Sequence, residues 1–453
     1  MLLVSDTLAS IYGSILKVQR YGLWFRRLFR LLMRTWELPQ QRLQSLAEAQ
    51  LQWLLRWCWS TVPFYRRLWS TAGVNPLRGE PFDVLAKLPT ITKRDVQANW
   101  QDMISLPYRR QHLVKGETSG TTGTGLKLLW APIAIGWEFA TIWRLRRLVG
   151  VRRSMLKATF NGRPIISPAR RKPPFWVHNI ADRQVLFSAF HMSPDRLPHY
   201  TAKLRTFRNW YTQGYPSLHH LVAQQLLQEP PLEHPPKALF LSSETLLEHQ
   251  RRDIERTFRA RAWDRYGVSE FCVSMIECER GNLHLDMEMG IVELDPVLEE
   301  TEECVRGELV CTSWANPAMP LVRYRIGDTA VMLKIPCSCG RESPAFRCVE
   351  GRVEDYLITP EGNLIGRLDH VFKGITSVAE AQLYQESPDE VVVRFVPRSS
   401  FNNQDKAKII RLLRERIGNK MRIRFEQMAQ IPRLPNGKFR FVVSLVAQDY
   451  IKR

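Results

Sequence analysis

The sequence, 453 residues long, predicts a large multi-sheet α/β domain followed by a small α+β domain. Three observations carry this. Helix-like and strand-like stretches alternate from Ile133 to Phe258, and short strand signals follow from Gly290. After Gly351 the texture changes to a strand–helix–strand unit of about a hundred residues. Hydrophobic residues make up 44% and charged residues 24%, ordinary globular values that exclude collagen, coiled coil and wholesale disorder. The expected division is a large domain over 1–352, with a basic helical segment over about 1–75, and a small domain over 353–453.

In the first sixty residues, Lys17, Arg20, Arg26, Arg27, Arg30, Arg34, Arg42 and Arg56 outnumber Asp6, Glu37 and Glu48. Leu23, Trp24, Phe25, Leu28, Phe29, Leu31, Leu32 and Trp36 interleave with the arginines at helical spacing. Two readings follow: a helix packed on the body with its arginines in water, or a surface helix on anionic lipid. Loops and short helices are expected over 76–108. A helix is expected over Ile133–Val149, with Trp137, Ile142, Trp143 and Leu148 available for packing. Lys237–Ser242 reads as a buried strand. Thr245–Phe258 reads as a helix burying Leu247, Ile254 and Phe258, with Ser243 or Thr245 as its cap. Strands are expected at Gly290–Leu294, Gly307–Thr312, Thr329–Leu333, Glu390–Val396 and Arg422–Phe425. Ile409, Leu413 and Ile417 set a helix over Asp405–Ile417, which Gly418 would end in a left-handed conformation.

The net charge is 65 − 45 = +20. Nine acidic residues face one arginine between Asp286 and Glu308, so the remainder is more basic still. Such a surplus attracts phosphates, anionic lipid or nucleic acid without choosing among them. Apolar runs fall short of the ~20 residues that cross a bilayer, and the first residues lack the pattern of a secretory signal. A cytoplasmic protein is expected, with the inner face of the membrane as a peripheral alternative. The eight cysteines are then expected to be reduced thiols, Cys272, Cys304, Cys311 and Cys348 among them.

Several motifs can carry chemistry. Thr118-Ser119-Gly120-Thr121-Thr122-Gly123-Thr124-Gly125 can bring backbone N–H groups and hydroxyls to a polyphosphate. It lacks the Gly-Lys-Ser/Thr of a Walker loop, and a plain surface loop would have the same composition. In Tyr266-Gly267-Val268-Ser269-Glu270 the ring offers a stacking face, Ser269 a hydroxyl for phosphate and Glu270 a hard ligand for Mg²⁺. Asp328, in Arg323-Tyr324-Arg325-Ile326-Gly327-Asp328, can accept two hydrogen bonds from a ribose diol. Ser242-Ser243-Glu244, Gly351-Arg352-Val353-Glu354-Asp355 and Gly437-Lys438 complete the set.

The order of these motifs over roughly residues 50–445 resembles the adenylate-forming superfamily of acyl-CoA synthetases, and more closely its phenylacetate–CoA ligase and capsule-biosynthesis CapK branch. Gly214-Tyr215-Pro216-Ser217, and Ile276-Glu277-Cys278-Glu279 leading to His284, support that branch. The resemblance implies ATP-dependent activation of a carboxylic acid to an acyl adenylate, followed by transfer to CoA or another acceptor. A role in polysaccharide modification is an analogy. The implied roles are Ser119, Gly120, Thr121, Thr122 and Gly123 on the ATP phosphates, and Ser243, Glu244 and Tyr266 around adenine with Gly267 beside them. Ser269 would touch the α-phosphate, Glu270 hold Mg²⁺, and Asp328 hold the ribose with Arg352. Glu354 and Asp355 would form the hinge of a mobile lid that brings in Lys438. Residues near Trp137, Phe190 and Tyr215 are expected around the acid.

Two departures from the family pattern bear on pyrophosphate and CoA handling. Thr124 and Gly125 stand where a basic residue and Pro are common, and Thr359-Pro360-Glu361-Gly362-Asn363 replaces a glycine-rich continuation. Cys337-x-Cys339 and Cys278-x₅-His284 supply four ligands of the types that suit tetrahedral Zn²⁺, with buried free thiols as the other reading. Similar residues in some relatives imply structural zinc. The alternative function is a non-catalytic basic protein on the same fold that binds anionic membrane or polysaccharide. The sequence holds no DNA- or RNA-reading motif.

Overall fold

The computed structural model describes residues 6–117, 126–163, 165–167, 169–193, 195–352, 357–360, 364–365, 368–372, 375, 377–433 and 439–446. The chain opens with helices α1 (Asp6–Arg20), α2 (Leu23–Thr35), α3 (Gln40–Thr61), α4 (Pro63–Thr71), α5 (Pro81–Lys87) and α6 (Lys93–Ala98). An antiparallel pair, β1 (Val114–Glu117) and β2 (Lys127–Trp130), precedes α7 (Pro132–Leu148). Then come β3 (Leu156–Asn161), β4 (Trp176–Asn179), β5 (Gln184–Ser188), α8 (Leu197–Arg205), β6 (Trp210–Gly214), α9 (Pro216–Leu226), β7 (Leu239–Ser242), α10 (Glu248–Phe258) and β8 (Ala262–Gly267). Strands β9 (Ser274–Glu277), β10 (Leu283–Leu285), β11 (Gly290–Glu300), β12 (Cys304–Ser313), β13 (Leu321–Leu333) and β14 (Ala345–Arg352) follow.

These strands form one sheet of twelve in the order β11-β12-β13-β14-β10-β9-β8-β7-β6-β3-β5-β4. Its β5-β3-β6-β7-β8 portion is parallel, and the strands on either side are antiparallel. Buried apolar residues from β9 to β14 share a core with α3, α4 and α5, while the parallel strands pack with α8, α9 and α10.

Beyond β14 lie the short pair β15 (Leu357–Ile358) and β16 (Leu364–Ile365), then β17 (Val378–Ser387), β18 (Glu390–Pro397), α11 (Asn403–Ile417), β19 (Arg422–Gln427) and β20 (Val442–Ser444). The last four strands form a second sheet, β19-β18-β17-β20. Ile409, Leu413 and Ile417 of α11 are buried in a core of their own. Asn402 caps α11 by accepting from Gln404 N and Asp405 N. Gly418 ends it at φ 72° and ψ −166°, so the positive φ is as expected but the residue is not in the left-handed helical well.

The structure corrects two local expectations and decides between two readings of a third element. Helix α10 begins at Glu248, and neither Ser243 nor Thr245 caps it, because Ser243 sits at φ 72° in the turn leaving β7. The expected strand Thr329–Leu333 is the end of the longer β13, which also contains the Arg-Tyr-Arg-Ile-Gly-Asp motif. On α2 the Phe25, Leu28 and Leu32 side chains are buried against α7, so this face is unavailable to lipid, while Arg26, Arg27, Arg30 and Arg34 are exposed. No helix among the described residues is long and apolar enough to cross a membrane.

Candidate active site

Three neighbouring parallel strands, β6, β7 and β8, point their carboxyl ends the same way, which is where ligands bind in open α/β sheets. Gly214-Tyr215, Ser243-Glu244 and Ser269-Glu270 lie at or just beyond those three ends. The alternating strand pattern therefore collects residues that are about thirty positions apart in sequence.

Asp328 reaches the same place from β13. Three strands separate β13 from β8 in the sheet. At about 4.8 Å per strand spacing, a flat sheet would hold them roughly 19 Å apart. Yet the Tyr266 hydroxyl donates to Asp328 Oδ2 at 2.5 Å, closer than the two side chains could reach across a flat sheet, so the sheet curves between β8 and β13. A bulge on β13 aims Asp328. Between the pairs Glu308↔Thr329 and Val310↔Arg325, β13 carries extra residues, and Gly327 takes φ 85° there. Asp328 is 8% exposed and pairs through its backbone with Arg352. Burial, with the Asp328 carboxylate beside it, pushes the Tyr266 hydroxyl well above its usual pKa and keeps it a neutral donor.

A second link fixes Glu270. Tyr324, fully buried on β13, donates from its hydroxyl to Glu270 Oε1 at 3.3 Å. Sequence reasoning gave Tyr324 no role; its place between two arginines was the available signal. Those arginines face the other way into ion pairs, Arg323 with Glu293 and Arg325 with Glu308 and Asp295. Thus β13 presents a tyrosine and an aspartate to the site and anchors itself through Arg323 and Arg325. Below Tyr266, Arg265 makes a two-pronged pair with Glu138 of α7 at 3.0 and 2.8 Å, holding the end of β8.

Glu244 does something the sequence did not suggest. Its Oε2 accepts from Ser217 N at 3.1 Å, at the start of α9, and its Oε1 accepts from Phe439 N at 2.6 Å. Phe439 belongs to the small C-terminal unit, so this carboxylate ties that unit to the large domain. Burial raises the Glu244 pKa, opposed by the two backbone donors. Gln224 Nε2 adds a second tie, to Ala379 O at 3.1 Å.

Tyr266, Gly267, Ser269, Glu270 and Asp328 are thus brought together. Ser243 is exposed in the turn beside Glu244. Ser119, Gly120, Thr121, Thr122, Gly123, Glu354, Asp355 and Lys438 lie outside the described residues, as does the side chain of Arg352. The three residues expected around the acid have different surroundings. Trp137 is buried among α2 and α7 side chains, Tyr215 packs against the parallel strands, and Phe190 is 45% exposed.

The cysteine–histidine set does converge. Ligand atoms of Cys278, His284, Cys337 and Cys339 lie within 4.8 Å of one another. Cys278 leaves β9, His284 sits on the paired β10, and the Cys337 turn precedes β14, which pairs with β10 on its other side. Cys278 Sγ and Cys337 Sγ are 3.8 Å apart. Tetrahedral Zn²⁺ with Zn–S bonds of about 2.3 Å requires a sulfur–sulfur separation of about 3.8 Å. His284 Nδ1 faces the Ser343 carbonyl at 3.2 Å, and Nε2 lies 3.3 Å from Cys339 Sγ. Burial pushes the His284 pKa down to about 4, leaving the neutral ring a metal needs. Donors approach the sulfurs from outside: Asn282 Nδ2 at 3.2 Å from Cys337, and Arg280 N at 3.4 Å from Cys278. These residues fit a closed, structural Zn²⁺ site. All eight cysteines are free, so none is in a disulfide.

Comparison with known proteins agrees with this geometry. The family model of the CapK C-terminal domain matches residues 357–445. Protein CapK of Staphylococcus aureus is 27% identical over 82% of this chain and 83% of its own. Phenylacetate-coenzyme A ligase of Thermus thermophilus is 24% identical over 90% of this chain and 98% of its own. In fold, the chain is similar to 2-hydroxyisobutyryl-CoA ligase in the postadenylation state with 2-HIB-AMP, at TM-score 0.70 and 18% identity, covering 93% of this chain and 94% of that one. These likenesses support placing the chain in the branch of the adenylate-forming superfamily that holds CapK and phenylacetate–CoA ligase.

Proposed function

We propose that the protein uses ATP to convert a carboxylic acid to its acyl adenylate, releasing pyrophosphate, and then passes the acyl group to CoA. The observation that carries this is the convergence of Tyr266, Asp328, Tyr324 and Glu270, from strands far apart in the sheet, beyond the carboxyl ends of β6, β7 and β8.

A carboxylate approaching the α-phosphate meets like charge, so catalysis must come from neutralising phosphate oxygens and aligning the two reactants. Each assigned residue does one of these. Asp328, held by Tyr266, would accept the ribose hydroxyls, with Arg352 beside it, and Tyr266, Gly267, Ser243 and Glu244 would border adenine. Ser119, Gly120, Thr121, Thr122 and Gly123 would cradle the phosphates, and Ser269 would donate to the α-phosphate. Glu270, oriented by Tyr324, would hold Mg²⁺, which when bound supplies positive charge to the phosphates. Lys438 would add a second positive charge next to Phe439, whose N–H Glu244 accepts. For the second half-reaction the small domain would turn about Glu354 and Asp355 so that the thiol reaches the adenylate. Zn²⁺ on Cys278, His284, Cys337 and Cys339 would be structural and take no part in the reaction.

Screening a carboxylic-acid library for ATP-dependent pyrophosphate release tests the reading. One or more acids should give turnover, and Lys438→Ala should slow carboxylate-dependent ATP–pyrophosphate exchange by roughly 10²-fold. A variant retaining wild-type exchange would remove Lys438 from the reaction. The likeness to CapK supports polysaccharide biosynthesis as the setting. There a sugar hydroxyl would take the acyl group in place of CoA, and acceptor competition on the isolated acyl adenylate would decide between them.

A further inference from the structure

Helix α1 is amphipathic in the inverted sense. Its small and polar side faces the protein. Ala9 and Gly13 are buried, and a Cβ at Gly13 would stand 2.1 Å from Asn179 Oδ1, so a larger residue would have to push the Asn179 side chain of β4 aside. Asp6 accepts from His178 N at 2.8 Å, Ser10 Oγ accepts from Ile180 N at 3.0 Å, and Lys17 Nζ donates to Ala181 O at 2.9 Å. The apolar side faces outward. Ile11, Tyr12, Ile15 and Val18 form one stripe along the helix, with Ile15 61% and Val18 78% exposed. An ordinary surface helix buries such a stripe, and contiguous exposed apolar surface marks an interaction site.

The next helix supplies the charge. Two residues link α1 to α2, whose outward side carries Arg26, Arg27, Arg30 and Arg34, all exposed, with Leu23 and Trp24 at its start. No acidic residue occurs in Leu23–Thr35. The Arg27 guanidinium lies over the Trp24 ring at 5.9 Å. An apolar stripe followed, two residues further on, by a helix that bears a cluster of arginines and an exposed tryptophan supplies the chemistry that suits a surface apolar within and negatively charged at its boundary. At 15 residues, α1 is about 22 Å long, suited to lying in the plane of an interface.

We propose that α1 and the start of α2 dock this protein on the surface of an anionic phospholipid bilayer, with Ile11, Tyr12, Ile15 and Val18 inserted among the acyl chains and the α2 arginines on the headgroups. The proposal does not depend on the ligase reading.

Sedimentation of the full chain with vesicles of phosphatidylglycerol and phosphatidylcholine tests it. Binding should be strong to the mixed vesicles, weak to pure phosphatidylcholine, and reduced by salt. The variant Ile11→Ser/Ile15→Ser/Val18→Ser keeps the net charge and should bind roughly tenfold or more weakly, since three exposed apolar side chains no longer insert. An unchanged melting temperature and unchanged pyrophosphate release would show that it folds normally. Absence of wild-type binding to anionic vesicles would overturn the proposal. So would equal binding by the triple variant, which would mean that bulk charge alone attracts the vesicle. A wild-type dimer in lipid-free solution that the same substitutions dissociate would make this face a self-interface, and would also overturn it.

Discussion

Replacing Tyr266 by phenylalanine removes a single hydroxyl and leaves the ring, so the consequence can be worked from one contact. That hydroxyl donates to Asp328 Oδ2 at 2.5 Å, and Asp328 is buried. A hydrogen bond to a charged acceptor contributes about 1.5–3 kcal/mol, and the cost of removing its donor is felt by the carboxylate left behind. If Asp328 holds the ribose, its rotamer matters as much as its charge, and the loss appears in nucleotide binding. The quoted range corresponds to roughly tenfold to a hundredfold in affinity. Because Tyr266 acts through Asp328, the lower end is expected: about a tenfold rise in the KM for ATP with kcat changed less than about threefold. Initial rates of ATP–pyrophosphate exchange across ATP concentrations measure both, and a thermal melt reports the structural share of the bond. A Tyr266→Phe protein with a lowered melting temperature and an unchanged KM for ATP would show that the pair only braces the curled sheet. The ribose assignment of Asp328 would then lose its support.

Three further outcomes are expected. Glu244→Ala removes the acceptor of Phe439 N and Ser217 N; it should slow exchange by roughly tenfold and thioester formation from preformed acyl adenylate less, since only its border on adenine serves both steps, and equal slowing of both steps would contradict a tie specific to adenylation. Elemental analysis should find about one zinc per chain, lost in Cys337→Ser together with several degrees of melting temperature; well under one zinc in the wild type would sink the site. Burial and the Glu277 carboxylate push Asp264 from its ordinary 3.8 up to about 7, so the folded chain keeps a proton that the unfolded chain has released. Stability should therefore fall by up to a few kcal/mol as pH rises from about 4 to about 7, and Asp264→Asn should flatten the fall; parallel melting profiles for the two proteins would refute this.

What the sequence disclosed depended on how local each signal was. The α11 helix was legible because Ile409, Leu413 and Ile417 repeat at its period and Gly418 stops it. The start of α10 was misread because Ser243 resembles a cap, whereas its positive φ serves the turn that delivers Glu244. Strand β13 looked shorter than it is because Gly327, a breaker by composition, here forms a bulge inside a continuous strand. The arginines of α2 were readable as an outward side, yet Phe25, Leu28 and Leu32 serve α7, and the exposed apolar stripe belongs to α1. The cysteine and histidine pairs were visible as pairs, but their meeting required β10 to lie between β9 and β14. The Tyr324–Glu270 and Tyr266–Asp328 links were hidden most deeply, since they depend on the curl of a sheet whose strand order is not sequential.

A crystal structure of the protein with AMP would show whether these strands converge on one nucleotide. Ribose hydroxyls are expected within hydrogen-bond distance of Asp328, adenine against Tyr266, and phosphate beside Ser269 and Thr122. AMP bound away from the ends of β7 and β8, with no ribose hydroxyl at Asp328, would contradict this.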